Sequence, residues 1–343
     1  MEINLLFGGS STEHEISILS ANYIYSVLQK KYHVKLVYID KNGNWLVAEG
    51  LNPGFPEIER EGNFYETFQQ KFQQKKLASN KGIGIQHLAK APVFLGLHGG
   101  QGEDGTLQGL LTSYGFSYTG SKVLGSALAM DKEKSNHIFS ALGIPVPAFT
   151  TCFSRAYRKN PSLDLSGLHF PLFVKPLNGG SSVGTGIVHT EAELHNSLLS
   201  LSISCEAIMI QTLIQGTEVS CGVLEKPGEE LFALPPTEIV PKNTFFDYEA
   251  KYTPGSTEEI TPARISPELT RKVQDFALLA HKGLGCSAYS RTDFIIRDKT
   301  PYILETNTLP GMTGTSLIPQ QARAAGIQME DVFDWLVELA KEG

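Results

Sequence analysis

Residues 287–311 read SAYSRTDFIIRDKTPYILETNTLPG. Residues 288–297 and 301–307 read as two short strands on either side of the turn-like Asp298-Lys299-Thr300, which makes the segment a hairpin. Side chains on a strand alternate faces, so Arg291, Asp293 and Ile295 share one face, and Ile303, Glu305 and Asn307 share a face of the second strand. If Arg297 pairs with Pro301, Asp293 lies opposite Glu305 and Arg291 opposite Asn307. Two carboxylates directly opposed repel and weaken a sheet. A divalent cation between them removes the repulsion, and Asp, Glu and Asn supply the oxygens that Mg²⁺ takes alongside phosphate oxygens. A slip of one residue would send the two acids to opposite faces. The competing reading is an exposed hairpin whose polar face is simply solvated.

A chain of 343 residues is too long for one core and points to two or three domains. Its 41% hydrophobic and 19% charged residues are those of an ordinary globular protein. The net charge of −7 argues against a nucleic-acid surface. Cys152, Cys205, Cys221 and Cys286 are scattered without a CxxC pair, which fits thiols in a reducing compartment better than disulfides or zinc ligands. Glu2 follows Met1 and the first apolar run, 3–7, is too short for a signal peptide; no stretch approaches a membrane span. These features set the expectation of a cytoplasmic protein with no membrane or nucleic-acid partner.

The chain begins as a strand (3–7), a turn Gly8-Gly9-Ser10-Ser11, a helix (13–29) and a second strand (32–39), an α/β opening. Thr12 and Glu15 have the spacing of a capping box. Residues 41–90 carry no legible chemistry, with an exposed helix expected at 69–76. A strand at 91–98 ends in His98, where an open α/β sheet binds ligands. A structural histidine reads equally well there. Gly100, Gly102 and Gly105 match GxGxxG, but Glu103 and Asp104 inside the loop would repel a pyrophosphate. A helix containing Asp131-Lys132 runs to Gly143, and Ile144-Pro145-Val146-Pro147 is a stiff link. The strand 169–176 carries Lys175 and runs into NGGSSVGTGI, whose backbone N–H groups can close over phosphate. It is not a Walker A loop, and a plain hairpin turn is the alternative. Strands follow at 207–214 and 218–224. Residues 245–262 form a long polar stretch suited to a lid. Ser266-Pro267 starts a helix that Gly283 ends, and a last helix covers about 329–341.

GGSSTEHEIS, LGLHGGQGEDGTLQG, AMDKEKSN, FVKPLNGGSSVGTGI, FFDYEAKY, SRTDF and LETNTLPGMTGTSLIP occur in this order between residues 8 and 319. Taken together they resemble the D-alanine–D-alanine ligase family of ATP-grasp enzymes. The resemblance implies an α/β chain, α+β in its ATP-binding part. It has three domains: an N-terminal open parallel-sheet domain over 1–121, a central ATP-grasp domain over 122–211 and a C-terminal one over 212–343 with metal site and lid. It implies ATP as co-substrate with Lys132, Lys175 and Lys251 on the phosphates, Ser181 and Ser182 in the glycine loop, Gln211, Thr212 and Ile214 at the adenine, and Glu218 on the ribose. Asp293, Glu305 and Asn307 would hold two Mg²⁺ or Mn²⁺ ions. Glu15 would receive the first D-alanine's ammonium near Ser181, Tyr252 and His98. Arg291 and the Gly311 N–H would face the oxyanion, and Ser316 the second D-alanine's carboxylate. A homodimer is the family expectation. Gln211-Thr212 departs from the acid–lysine pair often found at the adenine strand, although a glutamine amide oxygen still accepts a hydrogen bond. The common EANTSPG reads ETNTLPG here, with the metal ligands unchanged.

Overall fold

The structure, a computed structural model, describes residues 1–48, 85, 88–179, 184–241 and 257–342. The helix expected at 69–76 lies outside them.

The first sheet is built from β1 (Glu2–Gly8), β2 (His33–Ile39), β3 (Trp45–Ala48) and β4 (Val93–Leu95), with α1 (His14–Leu28) crossing between β1 and β2. Its order is β3-β2-β1-β4; β2 and β4 run parallel to β1, and β3 closes one edge antiparallel. Ile3, Leu5, Leu6 and Phe7 are all fully buried, as a strand covered on both faces demands. The Thr12–Glu15 capping box does not form: Glu13 takes the N-cap position and no side chain caps the helix. Ser17 instead ties the strand ends together, accepting from Gly8 N at 2.8 Å and donating to Gly96 O at 2.6 Å.

A 3-10 turn at Gly100–Gly102 and α2 (Thr106–Ser113) lead to α3 (Val123–Met130) and α4 (Lys132–Ala141). These last two replace the single helix expected through Asp131. Asp131 turns extended (ψ 99°) and its carboxylate accepts from the backbone N–H of Glu133 and Lys134, capping α4 so that Lys132 becomes its first residue.

The second sheet, β5-β8-β6-β7, is wholly antiparallel and comprises β5 (Phe149–Phe153), β6 (Leu172–Pro176), β7 (Gly186–Val188) and β8 (Ala207–Thr212). Helices α5 (Ser154–Lys159) and α6 (Glu191–Leu201) enclose its core around Leu172, Val174, Leu198 and Ile210.

The third sheet has six strands: β9 (Thr217–Leu224), β10 (Phe232–Ala233), β11 (Thr237–Pro241), β12 (Thr257–Ile260), β13 (Tyr289–Arg297) and β14 (Thr300–Asn307). Its order is β12-β11-β9-β13-β14, with β10 also on β9. Strand β12 falls inside the stretch expected to be a lid; residues 245–256 of that stretch lie outside the described residues. Alternation sends Val219, Cys221, Phe294 and Ile296 to a core shared with Val273, Ala277 and Ala280 of α7 (Pro267–Gly283) and Phe139 of α4. Glu218, Ser220, Arg291 and Asp293 point to the other face.

The hairpin pairs Arg297 with Thr300, not Pro301. Its turn is the two residues Asp298-Lys299, both left-handed at φ 50° and 62°, the geometry of the tight turns that suit strand twist. A register shift between Asp293 and Phe294 leaves Leu304 as an extra residue on β14, a β-bulge. The shorter turn and the bulge offset each other, so Asp293 does face Glu305 and Arg291 does face Asn307. Ile303 does not share their face. It pairs with Phe294, and both are fully buried on the core side.

The chain ends in α8 (Leu317–Ala324) and α9 (Met329–Glu342). Val332, Phe333, Leu336 and Val337 of α9 enter the core of the first sheet, where Phe333 meets Phe94 edge-on at 5.4 Å between centroids. Among the described residues no helix is long and apolar enough to cross a membrane.

Candidate active site

The polar face of the third sheet floors a cavity of about 230 Å³. Thr257 and Glu259 of β12, Ile239 of β11, Glu218 and Ser220 of β9, Arg291 and Asp293 of β13, and Glu305 and Asn307 of β14 follow one another across it. Lys132 and Gly179 close one side, Glu13, His98 and Glu103 another, and Gly311 and Ser316 a third.

Asp293 and Glu305 each answer to a cation of the chain. Arg291 grips Asp293 with two hydrogen bonds, Nε to Oδ1 at 3.0 Å and Nη2 to Oδ2 at 2.8 Å, while Ser220 Oγ donates to Oδ1 at 2.5 Å. Burial works against the Arg291 charge, but Asp293, then Glu305 and Glu103, hold its pKa above the ordinary arginine value. Lys132 Nζ donates to Gly179 O at 2.6 Å and lies 3.6 Å from Glu305 Oε2. Asn307 Oδ1 accepts from Leu309 N at 2.9 Å, which fixes which end of the amide is oxygen. Two carboxylates and an amide oxygen on one sheet face are hard oxygen donors, and this donor set fits Mg²⁺ or Mn²⁺.

On the first sheet's side, Glu103 is buried (7% exposed) and accepts from Gly99 N at 3.0 Å and Leu309 N at 3.4 Å. Burial, with the nearby Glu13 charge adding to it, pushes the Glu103 carboxyl up to about 7. His98 is buried with both ring nitrogens engaged: Nδ1 donates to Leu309 O at 2.8 Å, so Nε2 accepts from Ser20 Oγ at 2.7 Å. Burial lowers its pKa against the opposing pull of Glu13. The imidazole thereby pins the loop after β14 to the end of the first sheet. Gly99 beside them sits at φ 66° and ψ 169°, a conformation that strains any residue with a side chain.

Glu15 is not brought to the cavity. Its carboxylate pairs with Lys41 Nζ at 2.5 Å on the exposed side of α1. Successive helical residues turn by about 100°, so positions two apart point nearly oppositely, and only Glu13 looks inward. This corrects the expectation for Glu15.

On the remaining side, a Cβ at Gly311 would approach Ser316 Oγ to 3.0 Å. Ser316 Oγ also accepts from Thr313 N at 3.0 Å at the start of α8. The structure therefore gathers Lys132, Glu218, Arg291, Asp293, Glu305, Asn307, His98, Gly311 and Ser316 around one space. Lys175 on β6 and Gln211 on β8 are buried in the second sheet, with Thr212 and Ile214 beside them, and none of the four lines this cavity. Ser181, Ser182, Lys251 and Tyr252 lie outside the described residues. Glu13, Ser220, Thr257 and Glu259 are cavity residues that sequence reasoning passed over, and Glu103 entered it only as an argument against a dinucleotide loop.

An antiparallel sheet carrying Lys175, a second carrying the acid–amide trio, and Lys132 reaching between glycine loop and trio give the chain the architecture of an ATP-grasp enzyme. The family model for the D-ala D-ala ligase N-terminus matches residues 2–121, and that for the D-ala D-ala ligase C-terminus matches 138–338. The chain belongs to the D-alanine–D-alanine ligase family. It is 47% identical to the D-alanine–D-alanine ligase of Leptospira biflexa over 99% of both chains. Among solved structures, the D-alanine–D-alanine ligase of Bacillus anthracis complexed with ATP aligns at TM-score 0.73 and 30% identity, covering 100% of this chain and 98% of that one. The VanG D-Ala:D-Ser ligase of Enterococcus faecalis aligns at TM-score 0.81 and 30% identity over 99% of both.

Proposed function

We propose that the chain joins two molecules of D-alanine at the expense of ATP, yielding D-alanyl-D-alanine, ADP and phosphate for peptidoglycan precursor synthesis. One observation carries this reading. A single cavity sets a lysine and an acid–amide trio against an inward-facing carboxylate, a guanidinium and a backbone N–H.

A carboxylate is a poor electrophile. Attack of the first D-alanine's carboxylate on the γ-phosphorus of ATP releases ADP and leaves an acyl phosphate. Attack of the second amine on the acyl carbon then expels phosphate, with loss of one amine proton. Glu13, in place of Glu15, receives the first ammonium, with His98 holding the facing loop. Lys132, with Lys175 and Lys251, spreads the phosphate charge. Ser181, Ser182, Gln211, Thr212 and Ile214 hold the nucleotide, and Glu218 its ribose. Arg291 spends two of its five N–H donors on Asp293 and has others for the tetrahedral oxyanion, beside the Gly311 N–H. Ser316 takes the second carboxylate. The lid read at 245–262 would exclude water, which would hydrolyse the acyl phosphate, and Tyr252 and Ser181 would act through hydrogen bonds by the first D-alanine's ammonium. Asp293, Glu305 and Asn307 would hold two Mg²⁺ or Mn²⁺ ions, which supply positive charge to the transferring phosphoryl group.

We also read the chain as three domains over 1–121, 122–211 and 212–343, cytoplasmic and homodimeric, with no nucleic-acid or membrane partner. Leu110 on α2, Tyr114 just after it, and Val123 and Leu124 at the start of α3 are exposed large apolar side chains, and they support a self-association face. Phosphate release from ATP, compared with D-alanine, D-serine, D-lactate and L-alanine, tests the activity. D-alanine alone should sustain turnover with a dipeptide product; preference for any of the others would overturn the assignment.

A further inference from the structure

We infer that Ser220 is a positioning residue for the metal site: it saturates one oxygen of Asp293 and leaves the other as the oxygen that meets the ion. This rests on the reading of Asp293 as a metal ligand. Ser220 lies directly across β9–β13 from Asp293, as Glu305 lies across β13–β14, so the three side chains form one row on the cavity floor. Each carboxylate oxygen accepts about two hydrogen bonds. Oδ1 of Asp293 takes both, from Arg291 Nε at 3.0 Å and Ser220 Oγ at 2.5 Å. Among the described residues only Arg291 Nη2 donates to Oδ2, at 2.8 Å, so Oδ2 retains a lone pair.

The hydroxyl cannot drift. Ser220 is 1% exposed, and its backbone is anchored from α8: Gln321 Nε2 donates to Ser220 O at 2.8 Å, and Gln321 Oε1 accepts from Gly222 N at 2.8 Å. Without the hydroxyl, Arg291 alone orients Asp293, and a carboxylate held only by a two-pronged grip leaves a lone pair open on each oxygen. Partners that orient ligating groups typically contribute roughly 10–100-fold to metal affinity.

The test titrates Mn²⁺ into the full chain saturated with a non-hydrolysable ATP analogue, reading bound Mn²⁺ by water-proton relaxation. Ser220→Ala and Ser220→Cys, the latter a near-isostere with a weak donor, should bind Mn²⁺ about tenfold or more weakly. Ser220→Thr, which keeps the hydroxyl, should stay within about twofold. The Mg²⁺ concentration for half-maximal turnover should rise in parallel while KM for D-alanine holds, a split that a merely structural loss would not produce. If Ser220→Ala does not fold, the Cys and Thr variants decide. Mn²⁺ affinity near wild type in Ser220→Cys, or a loss in Ser220→Thr equal to that in Ser220→Cys, overturns the inference. Asp293→Asn separates the levels. If it loses Mn²⁺ while Ser220→Cys does not, only the inference falls; if it keeps Mn²⁺, the metal reading falls and the inference with it.

Discussion

Glu13 and Glu15 are both carboxylates at the start of α1, and their different fates show what a single side chain's direction is worth. Replacing Glu13 with Gln removes a charged partner from the cavity, and such hydrogen bonds contribute about 1.5–3 kcal/mol, so kcat/KM for D-alanine should fall by roughly 10–100-fold. Glu15→Gln loses only an exposed pair with Lys41 and should change kcat/KM by less than about threefold. Steady-state ADP release at varied D-alanine measures both. Which acid looked inward was not legible in GGSSTEHEIS, because that depends on which side of α1 meets the first sheet. Ser220 was equally silent, since a lone serine in a strand gains meaning only from its cross-strand partner. Glu103 supplies a pH signature. Its carboxyl moves from 4.5 to about 7 on folding, so its contribution to stability is fully present below pH 4.5 and is lost as pH rises through about 7. Urea unfolding at pH 5 and pH 8 should show wild type losing on the order of 2 kcal/mol more than Glu103→Gln over that interval.

At the level of elements, the hairpin was legible because two strand-like runs flank the turn-like Asp298-Lys299-Thr300. Its inner detail was not. A two-residue turn and a bulge at Leu304 cancel, so Asp293 faces Glu305 although Arg297 pairs with Thr300 and not with Pro301. The same local blindness hid the break at Asp131, which reads as helix interior until its extended backbone and its bonds to Glu133 and Lys134 are seen. Edge strand β12 was lost in a polar run because TEEI lacks the apolar alternation of a half-buried strand. The turn itself yields a prediction. Lys299 holds φ 62° with a side chain that disfavours it, whereas tight hairpin turns prefer glycine at that position. Lys299→Gly should raise unfolding stability by about 0.5–1 kcal/mol, since the left-handed region costs a non-glycine residue roughly 1–2 kcal/mol and glycine's added unfolded-state freedom returns part of it. Urea denaturation midpoints compare the two proteins, and turnover should be unchanged because neither Asp298 nor Lys299 lines the cavity.

At the scale of the whole molecule, the strand, turn and helix signals show an α/β opening and a later hairpin, while the three-part plan is what the family resemblance implies. The sharing of one core by the first and last segments was not legible, because nothing in 329–342 names its partner. Helix α9 contributes Val332, Phe333, Leu336 and Val337 to the sheet begun by β1. A chain ending before Met329 should therefore lose hydrogen-exchange protection in β1 and β4, not merely its last helix. In the full-length protein, Trp45 on β3 and Trp335 on α9, each examined with the other changed to Phe, should report the same urea midpoint. The shared core also bears on how the protein is made. Domains ordinarily fold as they leave the ribosome, N-terminal first, at about 5–20 residues per second. Here the earliest sheet cannot cover its apolar face until the final helix has emerged. For most of its synthesis the nascent chain carries an exposed greasy surface around Phe94, and a premature stop anywhere upstream of α9 yields a client for chaperones or proteases instead of a stable fragment.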